Sequence, residues 1–256
     1  MEEIMDIKAR LYFRDQLRFG RAVAIKDAEG FSEILFVVER LGSFLFKEIG
    51  TLKSYSSELR RLAYDSPLAK DLPNAYPGLH LPFCSLYERI MQARNDALHQ
   101  GACARHLTSH AIELSIVLED ALMSNQAKVE EFMVRDPVCC SLWQPLSLIR
   151  QQMLANSFSF LPVYIENEWQ MLSDQELAKY LRVKTQIRKE RLAKSLQSAL
   201  REGEGNDKIT LSLVQTVCPT ALVEDVAQML EGVPVLVIYH DEQTKLVGII
   251  TAFDLL

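Results

Sequence analysis

The sequence contains neither a long uninterrupted apolar run nor a secretory leader. Its most apolar window, ILFVVERLGSFLF, meets two charged residues, Glu39 and Arg40, after its first five positions. A membrane-spanning helix would have to bury that charge, so the window predicts a core helix. The first residues, MEEIMD, are acidic, whereas a leader starts with basic residues and continues into an apolar stretch. We therefore expect no export.

Cysteine is scarce, and its spacing forms no recognisable motif. The chain has five cysteines, an odd number, and no CxxC pair. A small secreted domain would not leave such thiols unpaired, so a reducing cytoplasm is the expected location. A glycine loop that could cradle phosphate and a Ser/His/Asp signature are also missing, which excludes the commonest nucleotide hydrolases and serine hydrolases.

The length and composition are those of a globular protein with two domains. The chain has 256 residues, of which 48% are hydrophobic and 24% charged, and single cores usually stop growing at about this size. The net charge of −6 argues against a broad nucleic-acid surface. Because the acidic excess lies mostly after residue 128, any polyanion is expected to meet the N-terminal half.

Apolar residues in the first half recur at three- and four-residue spacings, which predicts helices. We expect four of them, at 3–20, 30–63 with a break near Gly50, 83–100 and 104–124. The segment SPLAKDLPNAYPGLHLP, at 66–82, holds four prolines and is predicted to be a long surface loop. A helical bundle is the expected fold of residues 1–128.

After Asn125 short β-branched runs alternate with helical stretches, which predicts an α/β domain. Its two halves share one order, in which a helix leads to a Leu- or Val-Pro-Val strand, a turn and a second strand that enters a helix. An internal duplication of about 60 to 70 residues is therefore expected. The charged segment at 182–207 between the copies is predicted to be a solvated connecting helix.

The second half resembles a tandem pair of CBS domains over residues 129–256. The closing GIITAFDLL carries the family pattern of a glycine, two apolar residues, a threonine or serine, two residues and an aspartate. In this sequence the pattern falls on Gly248, Thr251 and Asp254. The resemblance implies an adenine nucleotide, AMP, ADP or ATP, as a regulatory ligand.

The residues suit that ligand on their own chemistry. Gly248 would let the backbone approach the ligand closely, and Asp254 can accept both ribose hydroxyls. Thr251 would add a hydroxyl near the ribose or phosphate. Apolar strand residues would enclose the adenine, and the predicted ones are Leu213, Val214 and Val235.

The first copy departs from the family pattern. WQMLSDQELA places Gln170 where the glycine is expected, Ser173 at the threonine and Glu176 at the aspartate. One nucleotide site is thus expected to be intact and the other eroded. The alternative is that the pair is a packing or dimerisation scaffold without a ligand.

The first half holds the motif RNDALH, which resembles the Arg, polar residue, three residues, His motif of HEPN domains. These are helical bundles, often metal-independent ribonucleases, in which two subunits commonly face each other. The resemblance implies a homodimer and catalytic roles for Arg94, Asn95 and His99. On a helix Asn95 and His99 share a face, so Asn95 can orient the imidazole, which would move a ribose 2′-hydroxyl proton while Arg94 holds the phosphate.

Two further interpretations of the first half stay open. The alternative role for the same three residues is a buried polar network in a protein that does not cut RNA. A row of arginines at helical spacing favours a polyanion partner, and the alternative is a solvated helix face. The row comprises Arg10, Arg14, Arg18 and Arg21. A metal site is not expected, although four potential ligands have helical intervals, namely His99, Cys103, His106 and His110.

Together these observations predict an α plus α/β chain. An HEPN-like helical bundle at 1–128, which is a possible metal-independent endoribonuclease with RNA as its partner, precedes a CBS pair at 129–256 that binds an adenine nucleotide and regulates it. The alternative is a non-catalytic nucleotide sensor or dimerisation scaffold that recruits a partner. We expect a homodimer and no membrane partner.

Overall fold

The computed structural model describes residues 5–27, 30–97, 104–124, 126–203, 207–239 and 245–256, and of 93–97 and 104–106 the backbone only. The chain divides into two compact units, Met1–Gln126 and Ala127–Leu256. The boundary lies two residues before the predicted one. Among the described residues the N-terminal unit has one hydrophobic core and the C-terminal unit has two, one in each copy.

The N-terminal unit is helical, as predicted. Between its longer helices lies a short 3-10 helix, Pro67–Ala69, and the α-helices in chain order are α1 Ile7–Lys26, α2 Phe31–Phe46, α3 Leu52–Ala63, α4 Asp71–Ala75, α5 Phe83–Ala97 and α6 Ala104–Met123. The apolar window found in the sequence forms most of α2, and its inward face is buried. No helix among the described residues is both long enough and apolar enough to cross a membrane.

Helix α1 begins and ends later than predicted. It starts after Asp6, whose carboxylate caps it by accepting the Ala9 N–H at 2.8 Å. It continues through Gly20, where the prediction ended it. A Cβ at position 20 would lie 3.1 Å from the backbone nitrogen of Ile34, so this glycine allows α1 and α2 to pack closely. The predicted break near Gly50 is confirmed, because α2 ends at Phe46 and α3 begins at Leu52.

The proline-rich segment at 66–82 is not the structureless loop that the sequence predicted. It contains the 3-10 helix Pro67–Ala69 and α4, because proline is tolerated in the first turn of a helix, where its missing N–H has no intrahelical partner. Ser66 is buried, accepts the Leu68 N–H and donates to an Asp120 carboxylate oxygen at 2.5 Å. The segment is therefore held against α6.

The arginine row of α1 is not a solvated ridge. Arg18 and Arg21 both donate to the Glu119 carboxylate on α6, the latter at 2.7 Å. Arg10 donates to the Leu122 carbonyl at 3.0 Å, and Arg14 is buried. Helical spacing alone could not show that the row faces α6. Its guanidinium groups bond acceptors within the N-terminal unit. The row therefore gives no support to a polyanion partner.

The C-terminal unit is a mixed α/β structure, as predicted. A 3-10 helix, Ala252–Leu255, follows its last strand, and the other elements in chain order are α7 Val129–Phe132, β1 Val134–Arg135, α8 Leu146–Asn156, β2 Phe160–Ile165, β3 Glu168–Ser173, α9 Asp174–Leu181, α10 Thr185–Ala193, α11 Leu196–Arg201, β4 Ser212–Leu213, β5 Thr216–Val217, α12 Val223–Met229, β6 Val235–Ile238 and β7 Leu246–Ile250.

The two copies have the same strand register. In the second copy β6 pairs antiparallel with β7, with Val237 opposite Gly248, and β5 lies parallel to β6. In the first copy β2 pairs antiparallel with β3, with Val163 opposite Gln170, and Cys140 bridges to β2 in parallel. Gln170 is thus the structural counterpart of Gly248, as the alignment of the two copies predicted.

Each copy completes its sheet with the strand that precedes the other copy. Strand β1, which comes before the first copy, pairs with β7 and places Arg135 opposite Gly248. Strand β4, which comes before the second copy, pairs with β3 and places Leu213 opposite Gln170. Met133, next to β1, is likewise buried in the core of the second copy. The copies therefore exchange their edge strands.

The segment between the copies is not a single solvated helix. It forms α10 and α11, separated at Lys194 and Ser195. Arg191 is buried, stacks 4.5 Å from the centre of the Tyr180 ring, donates to the Tyr180 carbonyl and forms an ion pair with Asp207. The amphiphilic guanidinium side chain therefore binds this charged segment to the first copy.

We predict that replacing Glu119 by Gln lowers the free energy of unfolding of the N-terminal unit by about 2–3 kcal/mol, because two largely buried guanidinium groups lose their charged partner. Urea unfolding followed by far-ultraviolet circular dichroism measures the loss. Glu58→Gln is the matched control, since Glu58 pairs with an exposed Arg61 and should cost less than about 1 kcal/mol. Equal losses in the two variants would contradict a structural role for Glu119.

Candidate functional site

A cavity of about 880 Å³ lies within the C-terminal unit, at the edge where β1 joins β7. Four segments supply its lining residues, and they lie within 134–138, 156–162, 230–234 and 249–254. The first two segments belong to β1 and the first copy, and the last two belong to the second copy. The strand exchange is what brings them together, since β1 carries its residues to the motif of the second copy.

The walls of the cavity are mainly apolar, with polar groups at separate points. Val134, Val138 and Phe253 are exposed apolar side chains that contribute to the wall. Polar lining comes from Asp136, Thr251 and a few small side chains near residue 157. A cavity of this size with few polar groups is typical of a site for a small organic molecule.

Thr251 and Asp254 form a hydrogen-bonded pair at the wall of this cavity. Strand β7 ends at Ile250, and Thr251 is the N-cap of the 3-10 helix Ala252–Leu255 that follows. The Asp254 oxygen Oδ2 accepts the Thr251 backbone N–H and the Thr251 hydroxyl, each at 2.8 Å. Asp254 is only 7% exposed, and its carboxylate caps the helix. Its position is therefore set before any ligand arrives.

The other four predicted nucleotide contacts lie outside the cavity lining. Val235 is buried in the core of the second copy. Leu213 is 78% exposed on β4, beside the first-copy motif and not the second, and Val214 follows it. The sequence predicted the adenine wall within the second copy, whereas the strand exchange brings residues 134–138 to the wall of the cavity.

Gly248 has a packing role in this structure. A Cβ at position 248 would lie 2.4 Å from the Met133 sulfur and 2.9 Å from its Cγ. Met133 occupies the space beside Gly248 in which the sequence predicted a ligand. The glycine is needed for the segment before β1 to pack against β7.

The first-copy motif also lies where a strand ends and a helix begins, but its carboxylate bonds residues other than the capping Ser173. Ser173 caps α9 by accepting the Glu176 N–H at 3.2 Å. Of the two Glu176 oxygens, one bonds the Lys179 ammonium and the other the Thr210 hydroxyl, both at 2.6 Å. The Lys179 bond, and then the Thr210 bond, lower the pKa of Glu176. This arrangement agrees with an eroded first site.

Sequence reasoning missed Asp136 and Ser157, two polar residues of the cavity wall. Both have left-handed backbone conformations, with φ of 48° and 56°. Asp136 follows β1 and Ser157 ends α8, positions where short polar side chains are common because they tolerate such backbone angles. That signal marks turns in the sequence, but it does not show which turns meet in space.

The structure does not describe the predicted catalytic group of the N-terminal unit. Arg94 and Asn95 lie on α5, whose backbone is described at these positions without the side chains, and His99 lies outside the described residues. The question of a metal site is also unanswered by the structure, because only His110 among the four potential ligands has a described side chain. The ring nitrogen Nε2 of His110 lies 3.1 Å from the Arg89 guanidinium. Both hypotheses stay predictions.

The second copy and its exchanged strand β4 match a known domain family. Residues 212–256 match the family model of the CBS domain. The match ends on the GIITAFDLL segment that carries Gly248, Thr251 and Asp254. The CBS resemblance seen in the sequence is therefore confirmed for this region.

Solved structures with CBS domains are also similar to this chain. AcuB of Vibrio cholerae, named for acetoin utilization, is 20% identical over 50% of this chain and 86% of its own, with a TM-score of 0.38. CBSX2, determined with AMP, is 20% identical over 50% and 91%, with a TM-score of 0.36. A CBS domain-containing protein of Bacillus anthracis is 12% identical over 50% and 89%, with a TM-score of 0.40. None of the curated proteins matches the sequence significantly.

We predict that Gly248→Ala destabilises the ligand-free C-terminal unit by about 1–3 kcal/mol, because the added methyl group displaces Met133 in a filled core. Thermal unfolding without any nucleotide measures this effect. Gly78→Ala is the control, since a Cβ at position 78 would meet nothing within 4 Å, and it should change stability by less than about 0.5 kcal/mol. An unchanged melting temperature for Gly248→Ala would instead indicate that the space beside Gly248 is open to a ligand, as the sequence predicted.

Proposed function

We propose that the C-terminal unit is a regulatory module that binds an adenosine compound in the cavity beside Thr251 and Asp254. The observation that carries the proposal is that these two polar residues of the CBS motif lie on the wall of an 880 Å³ cavity with largely apolar surroundings. Apolar walls suit a purine base, and a buried, positioned carboxylate suits a ribose diol. AMP, ADP and ATP are the adenosine compounds that the CBS resemblance implies.

Asp254 also offers a route from ligand binding to the fold. Its Oδ2 already accepts two hydrogen bonds from Thr251. A ribose hydroxyl that donates to this carboxylate would compete with those two bonds at the end of β7. Strand β7 pairs with β1 as well as β6. A ligand at Asp254 therefore acts where the two copies are joined, which suits a regulatory role.

We predict that wild-type protein binds one adenosine ligand per chain and that Asp254→Asn weakens this binding at least about tenfold, since a carboxylate accepts ribose hydroxyls more strongly than an amide. Isothermal titration calorimetry with adenosine and AMP measures both proteins. The amide oxygen can still accept the Thr251 N–H, so the variant should remain folded.

The matched control is Glu176→Gln, which makes the equivalent change in the first copy. Its carboxylate is occupied by Lys179 and Thr210, so adenosine binding should be unchanged. Equal affinities in wild type and Asp254→Asn would remove Asp254 from the site. A protein that binds neither adenosine nor AMP would leave the scaffold alternative, in which the CBS pair only packs or dimerises.

The N-terminal unit is the proposed output of this module. The helical bundle and the RNDALH motif favour a metal-independent ribonuclease in the manner of HEPN domains, acting as a homodimer in the cytoplasm. The inward-facing arginines of α1 remove one argument for RNA binding. The alternative output is recruitment of a partner protein without catalysis.

We predict for the ribonuclease hypothesis that His99→Ala loses about 10²- to 10⁴-fold in RNA cleavage without a change in melting temperature, because a general acid or base contributes that much to rate. If His99 instead completes a buried network, the substitution should cost roughly 1–3 kcal/mol of stability. Cleavage of a mixed RNA pool and thermal unfolding are measured on the same preparations, with and without adenosine ligand. A wild type that cleaves no RNA in either condition would end the hypothesis.

A further inference from the structure

The cavity beside Asp254 has an unusual charge for a nucleotide site. Among its lining residues in the described part of the chain there are two aspartates, Asp136 and Asp254, and neither lysine nor arginine. Asp136 is exposed, and its carboxylate has no hydrogen bond or ion pair with any other residue that the structure describes. The polar side of the cavity is therefore negatively charged.

A polyphosphate chain would find little to hold it there. Sites that bind several phosphates neutralise them with arginine or lysine, or with backbone N–H groups at a helix N-terminus. The 3-10 helix that begins at the cavity has only four residues, so its N-terminus offers few backbone N–H groups and little dipole to a phosphate chain. Two carboxylates in a partly enclosed cavity would repel a phosphate more strongly than they would in bulk water.

We infer that this cavity selects adenosine compounds by the charge of their 5′ group, accepting a neutral or cationic group and rejecting a polyphosphate. The inference rests on the proposed function, which requires only that an adenosine moiety binds. It narrows the ligand class from adenine nucleotides in general to nucleosides and 5′-cationic derivatives.

The experiment compares four probes that share the adenosine core and differ at the 5′ position: 5′-amino-5′-deoxyadenosine, adenosine, AMP and ATP. Calorimetry is performed in buffer without divalent cations, because Mg²⁺ would bridge phosphate to carboxylate. We expect affinity to fall in the order given, with ATP at least about tenfold weaker than adenosine. Added salt should reduce the difference in affinity between ATP and adenosine, because it screens the repulsion between phosphate and carboxylate.

Asp136→Asn tests the source of this selection. Asparagine tolerates the left-handed backbone of Asp136 and is nearly identical in shape. The variant should bind ATP about three- to tenfold more tightly than wild type, so that the ratio of ATP affinity to adenosine affinity rises. Glu166→Gln is the matched control, because Glu166 is an exposed acid at another left-handed position and does not line the cavity.

The outcomes separate the inference from the proposed function. Adenosine binding together with the expected order and a selective gain for ATP in Asp136→Asn supports both. ATP affinity equal to or above that of adenosine overturns the charge selection and leaves the proposed function standing. An unchanged ratio in Asp136→Asn overturns the role of Asp136. If none of the four probes binds, both proposals fail.

Discussion

The pairing of β1 with β7 is the contact on which the C-terminal unit depends. It carries Val134 and Asp136 from the chain before the first copy to the motif of the second, and it packs Met133 against Gly248. Because β4 makes the equivalent pairing with β3, neither copy has a complete sheet without the chain that precedes the other. The cavity is a product of this exchange, and a single copy would not form it.

The two related motifs differ in the groups that surround their acidic residue, and this difference affects ligand binding. In both copies a serine or threonine and an acidic residue three positions later meet where a strand ends and a helix begins. In the first copy Lys179 and Thr210 bind the acid, so the cost of releasing it would oppose a ligand. In the second copy the acid bonds Thr251 and lies at the wall of a large cavity.

In the N-terminal unit a row of charged residues on α1 contributes to the packing of two helices. Two arginines of α1 converge on Glu119, and a third bonds a carbonyl of α6. Charge-assisted bonds of this kind fix the register of two helices, because each guanidinium has few positions from which to reach its acceptor. The row thus contributes to the packing of the bundle, and any RNA contact would have to come from other residues.

Local patterns were enough to predict the helical and α/β halves, the duplication, the break near Gly50 and the CBS motif with Thr251 and Asp254, because periodicity and strand-to-helix junctions depend on neighbouring residues. The same patterns placed the adenine wall at Leu213, Val214 and Val235 and turned the α1 arginines toward solvent. Only the tertiary structure showed that residues 134–138 line the cavity beside Thr251 and that Glu119 receives the arginines. Both depend on pairings between segments about 100 residues apart, and spacing along the chain carries no information on which distant edge or face will meet.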